Sequence, residues 1–155
     1  MPIPELPVEG GCRCGKVRFR LSAPPWMEMA CHCTGCQKMT GSAFSTTIMV
    51  PADAFELIAG EPVVGGLHGD QADHWHCDWC KSWVHTTPRM ALGFVNVRAT
   101  MLDDASWFAP WAETQTAEKL AWAETGAKLR FERFPAPEEY QGLIARYQQD
   151  RGIAG

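Results

Sequence analysis

No segment of the 155-residue chain approaches the ~20 consecutive apolar residues that a bilayer-spanning helix requires, so no membrane partner is expected. The opening stretch MPIPELPVEGG has neither a basic run nor an apolar one. Nothing in it reads as an export signal, and a cytoplasmic setting with reduced thiols is expected. Positive charge is also short. With 14 Lys and Arg against 18 Asp and Glu, the net charge is -4 and the pI near 5.7, and no basic stretch offers a footprint for nucleic acid. Internal repeats and low-complexity tracts are missing. The glycine-rich GGLHGDQ at 65–71 lacks the spacing of a phosphate cradle and reads as a hairpin tip. What remains is a globular composition, 46% hydrophobic and 21% charged. It is expected to form one domain over 1–155 that buries roughly two thirds of its unfolded surface.

What the chain does have is cysteine. Seven residues fall into three groups: Cys12 and Cys14, then Cys31, Cys33 and Cys36, then Cys77 and Cys80. The odd count and the reducing setting disfavour a disulfide framework, and neither CxxC pair sits in the βαβ context of a thioredoxin-like redox site. Metal binding accounts for the spacing. In ACHCTGCQKM a tight turn can aim three sulfurs at one point, which suits a soft ion; zinc is expected, and thiolates also suit iron. Seven divides as four plus three. If the outer pairs converge, Cys12, Cys14, Cys77 and Cys80 form a closed site that clips two distant hairpins, and the trio is left with a coordination position for water or substrate. The rival division gives the trio a fourth cysteine from one pair and leaves three others. The first is preferred because each knuckle then supplies two ligands from one loop.

The histidines are His32, His68, His74, His76 and His85. His32 and His76 adjoin cysteines, but neighbouring side chains on an extended backbone point apart, so packing or surface roles are expected. Trp75, Trp79 and Trp83 read as packing around the second metal loop, with one of them bordering the open site. Lys38 and Arg89 read as solvated charges.

Periodicity predicts a mainly β chain. Prolines at 2, 4 and 7 favour an extended surface arm over residues 1–9. Val17, Phe19 and Leu21 alternate with Arg18, Arg20 and Ser22 as in a half-buried strand. Strands are expected at 26–30, 43–50, 55–59 and within 90–97, with one turn, helical or not, over 33–38. The segment 116–122 is the most helix-like part of a Trp- and Ala-rich stretch. A helix is predicted over about 138–151, opened by Pro137 and with Tyr140, Leu143, Ile144 and Tyr147 on one face.

GGCRCGKVRF at 10–19, CHCTGCQKMTGSAF at 31–44 and HCDWCKS at 76–82 resemble the family of glutathione-dependent formaldehyde-activating enzymes, which includes centromere protein V. GFVNVRATMLDD at 93–104 is a weaker match and LRFERFPAP at 129–137 a faint one. The resemblance implies small coiled β-sheets with zinc-ribbon-like knuckles over a core of about 8–135, followed by the C-terminal helix. It implies two zinc ions per chain: a structural one on Cys12, Cys14, Cys77 and Cys80, and a catalytic one on Cys31, Cys33 and Cys36. Lys81 stands where the family usually has glycine, and LHGDQAD replaces a serine-rich loop.

Three thiolates leave a divalent zinc core at a formal charge of -1, a poor Lewis acid for activating water but a good seat for a thiol. Taken with this chemistry, the resemblance implies the activity of a carbon-sulfur lyase like S-(hydroxymethyl)glutathione synthase. It would join or separate glutathione, or a similar small thiol, and formaldehyde or a related aldehyde. Gln37, Thr40 and Ser42 are candidates for positioning the partner. The alternative is a non-catalytic zinc- and thiol-binding or protein-interaction module.

Overall fold

A computed structural model describes residues 1–67 and 69–153. His68, within the predicted hairpin tip, lies outside the described residues. In chain order the first elements are β1 (Val8–Gly11), β2 (Arg18–Leu21), β3 (Met27–Cys31), α1 (Thr34–Thr40), β4 (Ser45–Pro51) and β5 (Phe55–Ala59). There follow β6 (Val63–Val64), β7 (Ala72–His76), β8 (Trp83–Pro88), β9 (Phe94–Val97), β10 (Ala112–Thr114), β11 (Leu129–Arg130) and α2 (Tyr140–Arg151). The protein is mainly β. One sheet has the order β1-β2-β5, and the larger runs β11-β10-β3-β4-β9-β8-β7-β6.

The alternation around β2 sets the first core. Val17, Phe19 and Leu21 point inward, while Arg18 and Arg20 turn out to pair with Asp103 and Glu9. On the larger sheet Ile48, Val50, Val84 and Val97 meet them. β4 carries no polar alternation because both its faces are covered. Ile48 and Val50 pack toward the small sheet, and Met49 packs on the other side with Met27, Met29, Trp111 and Tyr147. Tyr140, Leu143 and Ile144 rest against this second cluster, as the helical face predicted.

Two buried carboxylates tie the C-terminal part to the sheet. The Tyr147 hydroxyl donates to Glu28 Oε2 at 2.8 Å, and Arg151 Nε pairs with the same oxygen at 2.8 Å. Glu113 on β10 collects Thr125 Oγ1 at 2.7 Å and Arg130 Nε at 3.0 Å. A buried carboxylate is tolerated only when it is paired in this way.

Three local expectations change. The arm over 1–9 is tied down: Ile3 packs against the first core, and the Met1 carbonyl accepts from Arg151 Nη1 at 2.9 Å. The segment 33–38 extends to the two-turn α1, closed by Gly41 in the left-handed region. At 116–122 only a single tight turn forms, over Thr116–Glu118. The turn stops where Lys119 takes an extended conformation (φ -62°, ψ 132°), and the amides of Thr116 and Ala117 bond the carbonyls of Phe131 and Glu132.

Candidate metal centre

The two knuckles that supply Cys12, Cys14, Cys77 and Cys80 are far apart in sequence and meet in space. Cys12 precedes a turn closed by Gly15 at φ 79°, and Cys77 accepts the Lys81 amide across a second turn. Lys81 itself takes φ 60°, the left-handed conformation a glycine would adopt freely, and its ammonium pairs with Asp78 at 2.8 Å. Replacing the family's usual glycine thus preserves the turn. The four sulfurs lie within 4.8 Å of one another, with Cys12–Cys14 at 3.5 Å and Cys14–Cys77 at 3.7 Å. Sulfurs placed tetrahedrally about 2.3 Å from a common centre stand about 3.8 Å apart, so the spacing fits a closed metal site.

Cys31, Cys33 and Cys36 form a second group within the same limit. Cys31 ends β3, where its register against Thr114 of β10 holds it. Cys33 caps α1, accepting the Cys36 amide at 3.3 Å, and the Ser45 hydroxyl reaches Cys36 Sγ at 3.1 Å. Sharing protons among three close thiols drives Cys33 down, because the Cys31 and Cys36 side chains donate to it, and drives Cys36 up. Three sulfurs this close cannot all be thiolates unless a cation neutralises them, which is the chemistry of a soft-metal donor set.

His32, between two of these cysteines, turns away from them. It is fully buried, with Nε2 donating to Glu113 Oε2 at 2.9 Å. The Gln37 amide is consumed by the carbonyls of His32 and Glu118. Thr40 and Ser42 line a separate groove with Thr46. That groove shares Trp83 and Arg98 with the trio's cavity, but Gln37, Thr40 and Ser42 are not among the residues lining the cavity itself.

That cavity, of about 220 Å³, is bordered by Cys31 and Cys36 together with Met29, Trp83, Asn96 and Arg98. Of the three tryptophans singled out, Trp83 borders it; Trp79 is exposed, with Lys16 over its ring at 5.0 Å. Arg98 is only 6% exposed. Its guanidinium lies 4.1 Å from the Trp83 ring centroid, and its Nε has no hydrogen-bond partner. Burial lowers its pKa to about 10 while the thiolates of Cys36 and Cys31 oppose the shift, so it stays cationic at neutral pH. Asn96 Oδ1 is likewise buried without a partner. Both residues lie in the GFVNVRATM stretch, where their alternation with Val95 and Val97 was the available signal.

A crystal structure of a Rhodobacter sphaeroides protein is similar in fold, with a TM-score of 0.50 at 14% identity, covering 79% of this chain and 98% of that one. The sequence pattern of glutathione-dependent formaldehyde-activating enzymes matches residues 7–118, a span that holds all seven cysteines, Asn96 and Arg98. By that match over most of its length, the chain belongs to the glutathione-dependent formaldehyde-activating enzyme family.

Proposed function

We propose that the protein is a zinc-dependent carbon-sulfur lyase, making or breaking the S-hydroxyalkyl adduct of a small thiol such as glutathione with formaldehyde or a related aldehyde. Cys12, Cys14, Cys77 and Cys80 hold a structural zinc, and Cys31, Cys33 and Cys36 a catalytic one. The observation that carries this reading is the asymmetry of the trio: three convergent sulfurs beside a cavity whose wall contains a buried, incompletely paired arginine. Zinc at the trio supplies a soft position for a thiol sulfur, which there remains nucleophilic at neutral pH.

The chain's own residues do the rest. Arg98 offsets negative charge that would otherwise build up as a further anionic sulfur joins the cysteines. Ser45, hydrogen-bonded to Cys36 Sγ, spreads part of that charge. Met29, Met49 and Phe94 keep the cavity wall apolar and so exclude competing water. Asn96 offers a hydrogen-bonding group for the oxygen of the adduct. The sulfur lone pair forms the C–S bond, the carbonyl π pair moves to oxygen, and that oxygen takes up the proton lost by the thiol. The reverse step breaks the same bond, and neither direction needs an oxidant or reductant.

Exchange NMR on glutathione, formaldehyde and their adduct tests this, with zinc-loaded wild type beside Cys36→Ser. Acceleration over the uncatalysed blank that the variant loses is the expected result. Folded protein carrying two zinc ions and giving no acceleration would overturn the assignment.

A further inference from the structure

A second hollow of about 450 Å³ adjoins the cavity beside the trio and runs along α2, with Met49, Phe94, Phe134 and Tyr140 in the walls of both. Trp26, Leu92 and Ile144 complete the apolar part of this outer groove. Among its described lining residues the polar side-chain groups are the Tyr140 hydroxyl, the Trp26 indole N–H and the amides of Gln71 and Gln141, and none is charged. The inner and outer spaces together reach the ~300–1,000 Å³ typical of a site for a drug-sized ligand. A one-carbon aldehyde leaves most of this space empty. The carboxylates and ammonium of glutathione would find no charged partner along the groove, and desolvating unpaired charge is costly.

Where the groove comes from is also informative. Phe134, Pro135, Pro137, Tyr140, Gln141 and Ile144 all lie beyond residue 118, where the match to the family ends. The matched span builds the cysteine trio and the Arg98 wall and gives one side of the groove through Trp26, Met49, Leu92 and Phe94, and the segment beyond it gives the other. Phe134, 59% exposed, stands in the walls of both hollows.

We propose that this protein acts on a thiol adduct carrying an uncharged apolar substituent, aromatic or branched aliphatic. The substituent lies in the groove between Phe94 and α2 while the sulfur end reaches Cys31 and Cys36. This deepens the thiol-adduct reading and rests on it for the position of the sulfur.

The test is a binding measurement on the full zinc-loaded chain, by calorimetry with 2-phenylethanethiol, 2-mercaptoethanol and 2-phenylethanol. Sulfur engagement is read separately from the visible spectrum of cobalt-substituted protein. Each buried methylene-sized group tightens binding about fourfold, so 2-phenylethanethiol should bind at least tenfold more tightly than 2-mercaptoethanol. The double variant Phe134→Ala/Tyr140→Ala should lose that preference while keeping the cobalt response to 2-mercaptoethanol. Equal affinity of the two thiols, or a preference that survives the double variant, overturns the inference and leaves the thiol site standing. A cobalt spectrum unmoved by either thiol overturns the thiol reading instead. In that case the groove stands if 2-phenylethanol binds and the double variant abolishes its binding, and falls if it does not bind.

Discussion

The two cysteine clusters use the same ligand atom in opposite ways. Cys12, Cys14, Cys77 and Cys80 join knuckles separated by more than sixty residues, and their four sulfurs leave no side for a substrate. Cys31, Cys33 and Cys36 span one short stretch, close no long loop, and face a cavity with a cation in its wall. In the proposed reading, sulfur count and neighbours, rather than residue type, separate a clamp from a reactive centre. A metal in the clamp contributes to folding because the unfolded chain cannot assemble its ligands. A metal at the trio contributes mainly to binding and chemistry.

The largest effect expected from this contrast is on stability. Cys77→Ser should cost about 5 kcal/mol or more, enough to abolish a cooperative thermal transition in a domain holding only ~5–15 kcal/mol. Cys36→Ser should lower the melting temperature by no more than about 4 °C while losing one metal and the adduct exchange. Equal losses of melting temperature in the two variants would break the comparison.

The sheet between the clusters carries the next effect. His85 on β8 is buried against Phe55 and Trp75, and burial, followed by the charge of Arg98, lowers its pKa to about 4 from the usual 6.5. The unfolded chain therefore binds this proton first. The contribution of neutral His85 is complete above about pH 6.5 and is lost as pH falls toward about 4, on the order of 3 kcal/mol. Urea unfolding at a series of pH values should show this slope, and His85→Phe should flatten it.

A smaller effect belongs to the trio's own strand. Tyr147→Phe removes the hydroxyl that donates to Glu28 on β3 and should cost about 1–2 kcal/mol in urea unfolding without lowering metal content. If it also released the trio's metal, α2 would have to be counted as part of the metal site. The smallest belongs to the clamp. Lys81→Gly relieves a side chain held at φ 60° but gives up its surface pair with Asp78, for a net gain of about 0.5–1 kcal/mol. Thermal unfolding of the variant checks it.

The cysteine grouping was legible because metal ligands arrive in short, spaced pairs, and spacing is a property of sequence. The alternation at Val17, Phe19 and Leu21 and the apolar face of α2 were legible for the same reason. The cavity was not. Arg98 shares a cavity wall with Cys36 because β9 pairs with β4 and β8, and Phe134 joins the wall because Tyr147 and Arg151 pin α2 over Glu28. The segment 116–122 stops at one turn for a similar reason: it is hydrogen-bonded to residues some fifteen positions away, and Lys119 turns extended. Gln37 was a candidate for positioning the partner by proximity, yet its amide closes the loop that holds His32.

The central claim, one closed site and one open, is tested most directly by zinc-edge X-ray absorption on protein loaded with two zinc ions, before and after 2-mercaptoethanol, a small thiol without charged groups, is added. The account predicts seven zinc–sulfur bonds shared between the two metals without thiol and eight with it, the added one disappearing in Cys36→Ser. Eight sulfur bonds before any thiol is present, or seven after saturation with it, would contradict the account.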